Sequence, residues 1–188
     1  MVKMVKYYNL IDGKIPSDCT EFECSGCKLN ELPELPQTLT YLDCAINNLN
    51  KLPELPQTLI KLYCWNNNLS SLPELPQILI YLDCGYNRIN ELPELPQTLI
   101  ELRCFDNKLN VLPKLPQTLK YLYCYNNKLN ELPELPLTLI ELHCSNNNIK
   151  YISYKNCQII KKLKSVDLLN NPFSANFTTN KKFISSLE

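Results

Sequence analysis

The sequence predicts a repeat solenoid, in which short strands and extended, proline-bearing returns are piled coil upon coil. Three observations carry this. Six consecutive 20-residue units fill 31–150 without insertion or deletion, from ELPELPQTLTYLDCAINNLN at 31–50 to ELPELPLTLIELHCSNNNIK at 131–150. Each unit holds the pattern LxxLxCxxNxL, with Ile for the last Leu in two units, as in Leu39, Leu42, Cys44, Asn47 and Leu49. Each also carries two prolines three apart, such as Pro33 and Pro36, in a chain with 14 Pro and only 3 Gly. Self-similarity at a fixed short period is the signature of a stacked array, and so many prolines exclude a mainly helical domain.

A decayed unit precedes the array at 11–30, where Ile15, Pro16, Cys19, Phe22, Cys24 and Leu29 keep the register. With residues 1–10 it forms an N-terminal cap and degenerate first repeat, 1–30. Within each full unit, Leu42 and Cys44 are two apart, so a strand points both to one side and sends residues 41, 43 and 45 to the other. The LPELPQ segment then returns. Its fixed φ and missing N–H groups suit an extended, polyproline-like path. A unit this short leaves no room for a full helix on the back. A longer last repeat spans 151–173, with Leu163, Val166, Leu168, Asn171 and Phe173 in register. A C-terminal cap follows at 174–188, where Phe177, Phe183 and Leu187 cover the last turn and 180–187 forms a short helix. The expected count is eight turns, the terminal ones atypical as capping turns usually are.

Leu32, Leu35, Leu39, Leu42, Cys44 and Leu49 close over a core shared with the next unit. Each large apolar side chain buried contributes roughly 1.5–3 kcal/mol. No single unit buries both its faces, so stability comes from stacking.

Composition narrows the function classes. The chain has 188 residues, 19 basic and 19 acidic side chains, and no formal net charge, which argues against a dedicated nucleic-acid binder. No GxGxxG or GxxxxGK[ST] pattern occurs, so phosphate-cradling loops are not expected. Residues 1–10 lack the apolar core of a signal peptide, and no run approaches a membrane span. The expectation is a cytoplasmic protein. In that setting the glycosylation triplets at Asn68 and Asn176 carry no weight.

The repeated residues resemble the leucine-rich repeat family. The match is to its short subclass with LPxLPxxLxxLxxxxNxL, typical of bacterial effector proteins delivered into host cells. LPELPQTL arrays with Cys after LxxLx are also similar to repeat proteins of large amoeba-infecting viruses and some environmental bacteria. The resemblance spans about 11–173. It implies a curved right-handed solenoid with a parallel β-sheet on the concave face, an extended convex side, and protein recognition on the concave side. The chain departs from the effectors in placing Cys where they carry a larger aliphatic residue. It also lacks their helical N-terminal cap and a downstream ubiquitin-ligase domain, so ligase activity is not expected.

Cys24, Cys44, Cys64, Cys84, Cys104, Cys124 and Cys144 recur every 20 residues. Neighbouring strands lie ~4.8 Å apart. Parallel in-register side chains do not readily reach disulfide geometry, and free Cys packs as a small hydrophobe, so a reduced packing ladder is expected. Cys24 and Cys27, with Cys19 upstream, form the best zinc candidate, because tetrahedral zinc uses CxxC pairs. Against it, Cys19 falls on a leucine position, Cys24 on the ladder and Cys27 on the asparagine position, and no cofactor or metal is expected. Asn47, Asn67, Asn87, Asn107, Asn127, Asn147 and Asn171 share one inward position, where an amide can satisfy backbone groups that the bend leaves unpaired.

Residues 41, 43, 45, 46 and 48 of each unit give the exposed face. There the sequence varies strongly while the packing positions do not. The candidate partner-binding residues are Tyr41, Tyr63, Trp65, Tyr81, Tyr86, Arg103, Phe105, Tyr121, Tyr123 and Tyr125. Tyr, Trp and Arg are enriched at binding hot spots, and rings give large contact area at little entropy cost. Tyr63, Trp65, Phe105, Tyr123 and Tyr125 are expected to form one contiguous exposed patch. Tyrosine on strands also reflects β-propensity and cross-strand packing, so this reading has a competitor.

Glu34, Glu54, Glu74, Glu94 and Glu134 form a column on the convex side, broken by Lys114 and read as a solvated stripe. Lys155, Lys161, Lys162, Lys164, Lys181 and Lys182 make the C-terminal end basic, which is weak support for RNA or membrane contact. The only histidine, His143, shares a face with Glu141 and Ser145, a possible catalytic cluster, but an open face offers no oxyanion donors. The expected function is a non-catalytic protein-binding module with a protein partner, monomeric, in a host–pathogen setting if the effector resemblance extends that far. The alternatives are a structural or self-associating repeat protein, or a metal or redox protein using Cys19, Cys24 and Cys27.

Overall fold

A computed structural model describes residues 4–6 and 13–174. Each strand is three residues long, because the pattern places one leucine inward between two outward residues before the chain must bend. In chain order they are β1 (Met4–Lys6), β2 (Glu21–Glu23), β3 (Tyr41–Asp43), β4 (Lys61–Tyr63), β5 (Tyr81–Asp83), β6 (Glu101–Arg103), β7 (Tyr121–Tyr123), β8 (Glu141–His143) and β9 (Ser165–Asp167). Among the described residues these nine form one parallel sheet in sequence order. Register is one-to-one at every step, for example Leu42 to Leu62 and Leu62 to Leu82. The expected solenoid with extended returns is therefore present. β1 had no signal in the repeat pattern.

The proline-bearing return ends in a tight turn. The N–H of Leu39 donates to the Pro36 carbonyl at 3.1 Å, and Leu59 to Pro56 and Leu79 to Pro76 repeat this at 3.0 Å. Proline presets φ at the turn and loses nothing there, since its carbonyl is the group used. Thr58 then ties one coil to the one before: its Oγ1 donates to the carbonyls of Gln37 and Leu39, both at 2.8 Å. Thr98, Thr118 and Thr138 do the same. Ile78 stands at this position in one unit and is left exposed.

The core is a set of parallel columns. Leu42, Leu62, Leu82, Leu102, Leu122 and Leu142 are fully buried, as are Cys44, Cys64, Cys84, Cys104, Cys124 and Cys144. The ladder cysteines are free thiols, and burial pushes the Cys44, Cys64, Cys104, Cys124 and Cys144 thiols well above the ordinary range. The asparagine column works as expected. Asn67 Nδ2 donates to the carbonyls of Cys44 at 3.0 Å and Cys64 at 3.1 Å, while its Oδ1 accepts from Leu49 N–H at 3.0 Å. One amide thus satisfies backbone groups on two successive coils.

The residue before each of these asparagines has positive φ: Ile46, Asn66, Tyr86, Asp106, Asn126 and Asn146 lie between 49° and 54°. Asparagine tolerates this left-handed conformation, whereas β-branched Ile46 adopts it only because the coil dictates it.

The last coil departs from the others. A helix, α1 (Tyr154–Ile160), replaces the extended return. Ser153 caps it by accepting from Asn156 N–H at 3.2 Å. Asn156, Ile159 and Ile160 face inward at helical spacing. Asn156 bridges back to the preceding coil, accepting from Leu135 N–H at 3.0 Å and donating to the Pro133 carbonyl at 2.9 Å. The expected terminal cover by Phe177, Phe183 and Leu187, with a helix at 180–187, lies outside the described residues, as do Asn176, Lys181 and Lys182.

Candidate functional site

Alternation along each strand turns the flanking residues of the inward leucine outward, and the one-to-one register lines them up in columns. One column runs Tyr41, Lys61, Tyr81, Glu101, Tyr121 and Glu141; its neighbour runs Asp43, Tyr63, Asp83, Arg103, Tyr123 and His143. Rings and the guanidinium zigzag between the two. Tyr41 and Tyr63 have centroids 5.4 Å apart, and Tyr63 and Tyr81 4.6 Å apart. Arg103 lies 5.9 Å from the Tyr81 ring and 4.9 Å from that of Tyr123, which in turn sits 5.1 Å from His143. The result is an unbroken track across six strands. Its members are half-buried, each ring packed by its neighbours yet open to solvent.

A second row lies on the bend after the strands. Phe105 and Tyr125 stack at 4.8 Å with planes 8° apart, and Tyr86 meets Phe105 edge-on at 5.3 Å. The rings expected to form one patch therefore fall into two sets of ring contacts. Tyr63 and Tyr123 belong to the strand track, Phe105 and Tyr125 to the bend row. Trp65 and Tyr121 are half-buried, and among the described residues no ring contact joins them to either row. Position 45 of the unit is also less open than expected: Ala45, Gly85 and Ser145 are buried. The absence of a Cβ at Gly85 gives the Phe105 ring its present place, since a Cβ there would lie 2.7 Å from it. Asp83, placed on the exposed face by alternation, is buried too, at 6% exposure.

Charge is organised around Arg103. Its Nε donates to Glu101 Oε1 at 2.6 Å. Tyr123 Oη donates to Glu141 Oε2 at 2.7 Å, and burial together with that bond raises the Tyr123 hydroxyl to about 12. Asp83 Oδ1 accepts from Gly85 N–H at 3.1 Å, but burial dominates and pushes its carboxyl up from 3.8 to about 6. A raised carboxyl binds more protons folded than unfolded, so its effect on stability is unfavourable once pH rises through this window and absent below it. Asp83→Asn is therefore expected to stabilise the fold at pH 7 by on the order of 2 kcal/mol, with the gain fading below about pH 4. Urea midpoints of both proteins at the two pH values measure it.

His143 Nε2 is 3.0 Å from Ser165 Oγ, Glu141 accepts from Tyr123, and Ser145 is buried. Cys19 and Cys24 are sealed in the core, and Cys27 is half-buried against it. Among the described residues no group of three or more His, Cys, Asp or Glu side chains is placed to hold a metal ion, and Cys19, Cys24 and Cys27 are not so gathered. Among them, too, no helix is long and apolar enough to cross a membrane.

No protein-family model matches the chain, and no curated protein does. Solved structures do. YopM from Yersinia enterocolitica WA-314 is 37% identical with a TM-score of 0.80, over 84% of this chain and 34% of that one. The leucine-rich repeat domain of a Shigella effector is 34% identical with a TM-score of 0.79, over 90% of this chain and 77% of that one. The functional domain of InlJ from Listeria monocytogenes, described as including a cysteine ladder, is 26% identical with a TM-score of 0.72, over 82% of this chain and 35% of that one. The chain thus spans only about a third of YopM and of InlJ. The repeat pattern, the sheet and the identity to the Shigella effector domain together place this chain in the leucine-rich repeat family, among its short effector-type members.

Proposed function

We propose that the chain is a non-catalytic protein-binding module that holds a protein partner on its concave strand face. The observation that carries this reading is the track from Tyr41 through Tyr63, Tyr81, Arg103 and Tyr123, extended by Tyr86, Phe105 and Tyr125 on the bend. Half-buried rings held by their neighbours are already ordered, so a partner that covers them gains area with little further loss of side-chain freedom. Trp65 and Tyr121 flank the same surface and complete the candidate set. The family's effector members support a cytoplasmic, host-directed setting. Affinity capture tests the reading with the wild type and a Trp65→Ala/Tyr123→Ala variant whose fold is checked by circular dichroism. The expected result is a folded variant that loses the proteins retained by the wild type. Equal capture of the same proteins by both contradicts it.

A further inference from the structure

An open groove of about 670 Å³ runs beside the strand track, over the residues that enter β4 to β7. Its size falls within the range of small-molecule sites. Two columns line it. One is Ile60, Ile80, Ile100 and Lys120; the other begins at Ile78 and continues in threonines. Ile78 costs the fold twice. Thr58, Thr98, Thr118 and Thr138 each tie their coil to the one before through two carbonyls, and an isoleucine cannot make that tie. It also leaves an aliphatic side chain 46% exposed, next to Ile80 at 38%. A residue that gives up hydrogen bonds and exposes apolar surface, where the repeat has a better choice, is expected at a site used for binding.

The polar groups around the groove are already used. Thr98 Oγ1 donates to the carbonyls of Gln77 at 3.0 Å and Leu79 at 2.8 Å. The carbonyls of Ile60, Ile80 and Ile100 each accept two N–H groups from the next coil, as Ile60 does from Ile80 at 2.9 Å and Tyr81 at 3.3 Å. A peptide laid here finds no backbone partner, and the groove is far smaller than the roughly 20–30 residues a side of a stable protein interface. An acyl chain needs no such partner. Charge sets its direction. The end at Ile60 and Ile78 is aliphatic, whereas the far end carries Gln117 and Lys120. Lys120 is exposed and has no ion-pair partner among the described residues. Coils ~4.8 Å apart put Lys120 about 14 Å from Ile60, the reach of a medium-chain acyl group. We propose that the groove binds a medium-chain fatty acid, its chain along Ile60, Ile78, Ile80 and Ile100 and its carboxylate at Lys120. Covering the methylenes supplies affinity, and the ammonium selects an anionic head.

The test titrates the full chain, labelled at isoleucine methyl groups, with decanoate below its micelle concentration and follows the methyl NMR shifts. Saturable shifts are expected at Ile60, Ile78, Ile80 and Ile100, with exposed Ile46 on the other side of the strands unmoved. Hexanoate should bind at least tenfold more weakly, as the loss of four methylenes implies. Ile78→Thr/Ile80→Thr installs the residues that the array itself carries at Thr58 and Thr40. This variant should keep or raise the urea midpoint while weakening decanoate about tenfold. Lys120→Ile, which copies Ile100 and Ile140, should weaken decanoate about two- to fivefold and erase its advantage over decyltrimethylammonium. Absence of shifts, shifts as large at Ile46 as in the groove, or unchanged affinity in the Ile78→Thr/Ile80→Thr variant overturns the proposal. So does wild-type binding that ignores the sign of the head group, since that is detergent-like adsorption.

Discussion

Leu82→Ala is expected to lower unfolding free energy by about 2–5 kcal/mol. Leu82 is the inward residue of β5, fully buried, with Leu62 and Leu102 in register on either side. Truncation removes three carbons from a column that cannot collapse, because the neighbouring coils are fixed by backbone pairing on both sides. The lost transfer energy and the residual cavity therefore both count. A repeat array is stabilised by its interfaces, and a central coil has two of them. The loss should appear as a lower midpoint in urea, with a shallower slope if the array divides at that coil. A midpoint indistinguishable from wild type would mean that Leu82 is not in the core.

Asn87→Ala should cost about 1–3 kcal/mol through unsatisfied groups rather than through volume. Asn87 Oδ1 accepts from Leu69 N–H at 3.0 Å, and its Nδ2 donates to the carbonyls of Cys64 at 3.0 Å, Cys84 at 3.1 Å and Gly85 at 3.1 Å. Alanine leaves these groups without the amide. Asn87→Asp separates this from a packing effect: it keeps the shape but turns an acceptor toward three carbonyls, so it should be at least as destabilising as alanine. If aspartate were tolerated and alanine were not, volume rather than hydrogen bonding would explain the column. Both are read by thermal or urea unfolding at pH 7.

The leucine, cysteine and asparagine columns were legible because each position has one role repeated every 20 residues, so the pattern itself states what is inward. The aromatic face was legible only as a set of residues. Its division into two rows depends on which rotamer each ring adopts and on Gly85 making room for Phe105, neither of which periodicity encodes. Asp83 shows the limit of alternation: it points outward from its strand, yet its neighbours and its bond to Gly85 bury it. Arg103 entered the candidate set for its residue type, and only the diagonal offset between columns reveals that it sits between Tyr81 and Tyr123. Two features did leave a signal. Ser153 ahead of Asn156, Ile159 and Ile160 at helical spacing announces α1, and a threonine after Gln in four of the units marks the column that ties coil to coil. β1 left none, since MVK lies outside the repeat.

Mapping thiol reactivity by mass spectrometry tests the stacked, aromatic-faced solenoid most directly. Burial pushes the ladder thiols up and removes them from solvent, whereas Cys27 and Cys157 are only half-buried. In native buffer, alkylation should be confined to Cys27 and Cys157, with Cys44, Cys64, Cys84, Cys104, Cys124 and Cys144 modified only after denaturant is added. Native labelling of Cys64 or Cys124 at the rate of Cys27 would place the ladder outside the core and with it turn the aromatic track inward, contradicting the arrangement.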